Sequence, residues 1–165
     1  MCISKRLCPV PFDQQPVNEY FALKTSWFFS WVTLSMQKYL VKILSFLGFL
    51  FFCFIPLVIS IKPNNINVFK ILLIDIFLVN LVFILVFIRL YLGWSYIIKR
   101  LVSATIFYEE SGWYDGQVWI KSVESLTQDR LIGLYEVKPF MQRIKYSLYF
   151  STVLLIVENI FYYLL

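Results

Sequence analysis

The chain has 165 residues, 60% of them apolar, 20% aromatic and 15% charged, with a formal net charge of +5. A water-soluble domain carries about a quarter charged residues, so this chain has too little polar surface to coat a globule of its length, and it is too apolar to stay disordered. Three cysteines exclude a secreted scaffold held by several disulfides, and the absence of histidine removes the commonest general base and the commonest transition-metal ligand.

Residues 1–42 open as extended chain, because Pro9, Pro11 and Pro16 block helix there. Asn18 is placed to cap a helix from Glu19 that runs through Trp27 and Trp31 toward the first apolar run. Ser26, Ser30, Thr33 and Gln37 would form a small-polar stripe on it. Its tryptophans and lysines suit the membrane interface, and a position packed inside protein fits as well. No secretory signal is expected, since Lys5 and Arg6 are not followed by an apolar core. Cys2 and Cys8 have five residues between them, which is not a metal-ligand spacing.

Residues 43–61 contain 19 residues without a charge. As a helix they would cover roughly 29 Å at 1.5 Å per residue, close to the ~30 Å hydrocarbon core of a bilayer. Pro56 within them is tolerable in a membrane helix. A short loop, 62–70, leads to a second span, 71–92, which carries Asp75 and Arg89. The third span, 147–165, has Glu158 as its only charge. Three crossings put residues 1–42 and 93–146 on one side, and the short loop and the C-terminus on the other. Five basic residues fall in 1–42 and seven in 99–146, against two in 62–70. The positive-inside rule asks for the same sidedness.

Within 93–146, Thr105–Tyr108 and Gln117–Ile120 are aromatic and β-branched, with Ser111-Gly112 and Asp115-Gly116 between them. This predicts a hairpin over 105–120. A helix over 123–137 follows, with Ser125 and Gln128 as a capping box and Pro139 placed to end or kink it and to open the third span. The expected fold is mainly α: a polytopic helical membrane protein with three spans and a small hairpin-plus-helix face on the basic side.

Two groups of residues invite a function. Tyr108, Glu109, Glu110, Trp113, Tyr114, Asp115 and Trp119 place three carboxylates and four aromatics within twelve residues. Tyrosine and tryptophan anchor interfaces, so this stretch reads as a docking face for a protein partner. It also reads as aromatics dipping into the interface while the carboxylates pair with Lys99, Arg100 or Arg130. The second group is Asp75, Asn80, Glu158 and Asn159, which fall in the same half of the membrane in this topology. Ionisable residues inside a bilayer are candidate proton or cation sites, and equally they snorkel or hold helices together. No nucleophile, phosphate cradle or metal-ligand cluster accompanies either group, so no enzyme, cofactor or metal is expected. The basic residues follow membrane sidedness, so lipid and not nucleic acid is the expected charged partner.

Several stretches together resemble one family. They are Cys8-Pro9-Val10-Pro11, Gln15-Pro16-Val17-Asn18-Glu19-Tyr20 and Ser26-Trp27-Phe28-Phe29, then Ser103-Ala104-Thr105 and Phe107-Tyr108-Glu109-Glu110-Ser111-Gly112-Trp113-Tyr114-Asp115-Gly116-Gln117-Val118-Trp119. Asp129-Arg130-Leu131 and Val137-Lys138-Pro139 follow in the same order. They resemble the hypothetical chloroplast reading frame thirty-six family, also called conserved in the green lineage and diatoms twenty-seven. The resemblance covers roughly residues 8–31 and 99–143. It implies a membrane protein of plastids or cyanobacteria, with the basic side stromal and a partner in a photosynthetic membrane, connected with iron-limited growth and photo-oxidative stress. It implies no catalytic residues. Phe, Tyr, Met, Ile, Asn and Lys total 66 residues against 18 for Gly, Ala, Arg and Pro, a bias toward AT-rich codons that suits an organelle genome.

Overall fold

The computed structural model describes residues 9–61, 68–109 and 116–164. Its principal elements are α1 (Pro16–Thr25), α2 (Met36–Ile61), α3 (Val68–Val102), β1 (Thr105–Glu109), β2 (Gly116–Ile120), α4 (Val123–Leu131) and α5 (Lys138–Leu164). Three helical runs are long and apolar enough to cross a membrane: Met36–Ser60, Val68–Val102 and Val123–Leu164. Contacts divide the chain into two compact units, Met1–Thr33 with Tyr91–Arg143, and Leu34–Leu90 with Ile144–Leu165.

The unit of Leu34–Leu90 and Ile144–Leu165 is built from α2 and from parts of α3 and α5. On α3, Asp75, Val79, Phe83, Phe87 and Leu90 are buried, at the three- and four-residue steps that keep one stripe of a helix turned inward. Leu78, Leu81 and Leu85 on the same helix are exposed. Phe46 of α2 meets Phe83 of α3 at 5.6 Å between ring centroids. The Tyr39 hydroxyl on α2 lies 2.9 Å from Ser147 Oγ on α5.

The other unit contains the N-terminal arm, the end of α3, the hairpin and α4. Its first helix departs from expectation. Helix α1 starts at Pro16 after Gln15 and stops at Thr25, with Ser26 in extended geometry. The Asn18 amide does not cap it, but donates to Phe12 O (2.8 Å) and to Gln15 Oε1 (3.3 Å). The polar stripe explains the break. Ser26 Oγ donates to Leu23 O at 2.8 Å, Ser30 Oγ to Trp27 O at 3.3 Å and Thr33 Oγ1 to Ser30 O at 2.8 Å. Such side chains compete with the helix ladder for backbone groups, and residues 30–33 wind as a short 3₁₀ turn instead. The Phe29 ring then lies where a Cβ on Gly93 would stand, so glycine at that position lets the arm approach α3.

Helix α4 is capped by Ser122, whose Oγ accepts from Ser125 N at 3.4 Å, and not by Ser125 itself. Pro139 does not end the helical run. Residues Ile132–Val137 form a π segment between α4 and α5, in which Lys138 N bonds back to Gly133 O, and Pro139 sits in the first turn of α5. The wider turn falls where proline removes a donor. Gly133 serves a close approach, because a Cβ there would come within 3.3 Å of Leu101 Cβ.

The C-terminus of α3 is closed by side chains. Lys121 Nζ donates to Arg100 O (2.9 Å) and Leu101 O (3.1 Å), and pairs with Asp129 Oδ2 at 2.6 Å. Arg130 Nε donates to Val102 O at 3.4 Å, and Ser103 N to Lys99 O at 3.0 Å. The last carbonyls of a helix have no intrahelical donor and carry its negative dipole end, so a buried ammonium fits there. Arg100 reaches the other way, donating to Glu19, to Tyr96 Oη (2.8 Å) and to Gln14 O (2.9 Å).

Glu136 in the π segment accepts from Tyr20 Oη and pairs with Lys24 at 3.4 Å. The Tyr20 hydrogen bond, helped by Lys24, holds the Glu136 carboxyl below its ordinary value despite partial burial. Burial pushes the Tyr20 phenol up, and the neighbouring Glu136 adds to the rise. Glu19 moves upward, because burial outweighs the pull of Arg100.

Two outcomes follow from these contacts. Lys121→Met strands a buried Asp129 carboxylate and should cost roughly 3–5 kcal/mol, read as a fall in thermal unfolding temperature in detergent; the double variant with Asp129→Leu should recover part of it. For Glu136 the depressed pKa means that its contribution is present above the ordinary carboxylate range and disappears as pH falls through the lowered folded value. Hydrogen-exchange protection of α1 amides in the wild type should therefore exceed that in Glu136→Gln at neutral pH, and the two should converge on acidification.

Candidate functional site

The hairpin forms around a strict alternation. Strands β1 and β2 pair antiparallel, with Ile106 opposite Trp119, Phe107 opposite Val118 and Tyr108 opposite Gln117. Ile106 and Tyr108 turn to one face and pack with Val10 of the N-terminal arm and with Trp119. The Tyr108 hydroxyl donates to Gln117 Oε1 at 2.8 Å. Gln14 borders β1: its Nε2 donates to Glu109 O at 3.0 Å, and its Oε1 accepts from Glu109 N at 2.9 Å. One amide side chain thus satisfies an edge residue's donor and acceptor together, as a neighbouring strand would.

The opposite face is left open. Phe107 is 71% exposed, Val118 53% and Ile120 73%, and these side chains share one side of the hairpin because alternate residues do. Val123, which opens α4, is exposed as well. The residues singled out from the sequence therefore separate. Tyr108 lies in the hairpin core, Trp119 is half-buried against it and Glu109 is exposed. Glu110, Trp113, Tyr114 and Asp115 lie outside the described residues, as do Cys2 and Cys8.

The second group lies in the helical unit. Asn80 Nδ2 donates to Ser151 O at 3.1 Å and to Glu158 Oε2 at 3.3 Å, tying α3 to α5. Asp75 is wholly buried, and among the described residues neither of its carboxylate oxygens has a hydrogen-bond partner; Glu158 Oε1 has none there either. Asn159 turns to its own helix, donating to Leu155 O at 2.8 Å. The structure thus brings Asn80 and Glu158 together, buries Asp75 five residues away and so on another side of α3 from Asn80, and leaves Asn159 apart. Among the described residues no three of the histidine, cysteine, aspartate or glutamate side chains cluster as a metal site.

Sequence reading passed over the residues that hold the hairpin in place. Gln14 and Lys121 carry no motif, and Asp129 stands in the family resemblance as Asp129-Arg130-Leu131 without a structural role; the nearest signal is a lone lysine directly after an apolar strand. The outer row of the hairpin was also missed, because Ile106, Phe107 and Tyr108 are all large and apolar or aromatic, so composition gives no contrast between the faces.

Comparison with known proteins points to one family. The family model CGLD27-like: Conserved in the green lineage and diatoms 27 matches residues 8–150. The chain is 52% identical over 141 residues to the uncharacterized protein ycf36 of Porphyra purpurea, covering 86% of each chain. It is 47% identical over 146 residues to the uncharacterized protein ycf36 of Cyanophora paradoxa, covering 86% of this chain and 89% of the relative. It is 41% identical over 153 residues to the protein Conserved in the green lineage and diatoms 27, chloroplastic, of Arabidopsis thaliana, covering 89% of this chain and 45% of that protein. No solved structure matches the chain.

Proposed function

This chain belongs to the CGLD27-like family, Conserved in the green lineage and diatoms 27, and from that premise we propose that it is a three-span accessory protein of a plastid membrane. It performs no catalysis and holds a protein partner on the outer face of its hairpin, in assembly or in acclimation to iron limitation and stress. The plastid is supported by the chloroplastic name of the Arabidopsis relative. Membrane insertion is supported by three sufficiently long apolar helices and by outward side chains such as Phe49, Phe52 and Leu85. The basic bias of residues 1–42 and 99–146 supports a stromal N-terminus and a C-terminus on the opposite side.

The observation that carries docking is the row Phe107, Val118 and Ile120. The hairpin already packs its other face on Val10, so this row is not needed for its own core. Exposed aromatic and aliphatic side chains grouped on one rigid element are what interfaces use as anchors. A photoreactive phenylalanine at position 107 or 120 should give one discrete protein adduct in plastid membranes, whereas the same group at Leu85 should give lipid adducts. Phe107→Ser should weaken that complex by about 2 kcal/mol. Lipid adducts alone at positions 107 and 120 would contradict docking.

A second reading, proton or cation handling, is favoured by the oxygens of Asp75 and Glu158 that have no partner among the described residues. A buried ionised carboxylate without partners is strongly unfavourable, and a proton or a hard cation relieves it. Under this reading Asp75→Asn combined with Glu158→Gln abolishes complementation of a null strain, although the protein still accumulates. Under the docking reading the same variant complements, and only hairpin changes fail.

A further inference from the structure

Helix α2 meets α3 at Phe46, which lies on Phe83, but is only loosely packed between its two ends. Tyr39 and Val58 are buried, yet no residue from Leu40 to Leu57 is. Beside it runs a groove of about 480 Å³ lined by α2, α3 and α5 and open on one side, where Leu44, Tyr146 and Phe150 are exposed. A volume of 300–1,000 Å³ is that of a small-molecule site. Three features describe what fits it.

The first is shape. The lining runs from Leu40 to Phe51 on α2 and from Ile76 to Phe87 on α3, eleven residue steps on each, or roughly 16 Å along the helix axis. The groove is therefore elongated along the helices. The second is charge. No charged side chain lines it; the walls are side chains such as Leu47, Val79, Phe83 and Leu154. An ionised group placed there would lose its hydration without a counter-charge. The third is a small polar strip on one wall, made by Asn80, Ser147 and Ser151. Asn80 is buried, and its amide is fixed by Ser151 O and Glu158, so it offers a set hydrogen-bonding direction in otherwise apolar surroundings.

We propose that this groove binds one linear, uncharged hydrocarbon chain carrying a single hydroxyl group, with the chain lying along α2 and the hydroxyl donating to the side-chain oxygen of Asn80, whose amide N–H groups are taken by Ser151 O and Glu158. A free isoprenoid-type alcohol has this chemistry, whereas an acyl chain of an ordinary membrane lipid shares only its hydrocarbon part, and the test separates them. A head group bearing phosphate has no counter-charge among the lining residues, so a lipid can enter by its tail alone and leaves the polar strip unused.

The experiment uses the full chain purified in mild detergent, with all-trans-retinol as the probe and its fluorescence as the readout. Saturable binding at one molecule per chain is expected. Leu47→Trp, at a position 41% exposed and so not tightly packed, fills the groove and should weaken binding at least about tenfold. Asn80→Leu removes the polar contact while leaving the walls apolar, and should weaken it several-fold. Phe52→Trp, on a side chain 78% exposed, adds the same ring outside the groove and should leave binding unchanged. Leu44→Trp, at 64% exposure, stands in for Leu47→Trp if that variant unfolds below the wild-type temperature. Retinol uptake that does not saturate, or that is equal in all four proteins, is partition into detergent and overturns the proposal. Loss with Leu47→Trp but not with Asn80→Leu shows an acyl-chain groove without the polar contact, and overturns the assignment of the oxygen to Asn80.

Discussion

A helix that turns leucine outward and keeps its aspartate and asparagine inward costs least free energy where the medium around it is itself apolar, and the proposed bilayer is such a medium. Helix α3 has this arrangement, with Leu78, Leu81 and Leu85 outside and Asp75 and Asn80 inside. In water the outward row would cost free energy in proportion to its apolar area. In hydrocarbon it costs nothing, and the polar side chains become the means of joining helices. The contact of Asn80 with Ser151 and Glu158 is such a join.

The same helix has to stop, and the manner of its stopping organises the other unit. Its terminal carbonyls meet Lys121 and Arg130, which brings the end of β2 and the start of α4 to one point. Arg100, in the same last turn, gathers Gln14 and Glu19 of the N-terminal arm with its side chain. The arm in turn covers the inner face of the hairpin through Val10 and borders β1 through Gln14. The outer row of Phe107, Val118 and Ile120 is thereby presented on a braced element, since two strands alone would be marginal.

The three long apolar helices were legible because length and absence of charge are one-dimensional properties. The hairpin was legible through its paired turn dipeptides, and the family through the motif around Glu109. Other features depend on competition in three dimensions. The break after Thr25 arises because Ser26, Ser30 and Thr33 take backbone carbonyls locally, whereas their spacing alone reads as a helical stripe. The choice of Tyr108 over Phe107 for the inner face depends on what packs beneath the hairpin, and neighbours of similar bulk carry no such information. Asn159 was grouped with Glu158 by proximity in sequence, but its amide bonds to its own helix. The loose packing of α2 between Tyr39 and Val58 has no sequence signature at all, since a helix facing lipid and one facing a groove are equally apolar.

The presence of hydrocarbon around these helices is tested most directly at Cys53, which is exposed on α2. With Cys2→Ser and Cys8→Ser, a nitroxide attached to Cys53 in reconstituted membranes can be relaxed by oxygen, which concentrates in lipid, or by a water-soluble nickel chelate. Strong relaxation by oxygen and little by nickel is the result predicted. Ready relaxation by nickel would put Cys53 in water, and would contradict a membrane-spanning α2.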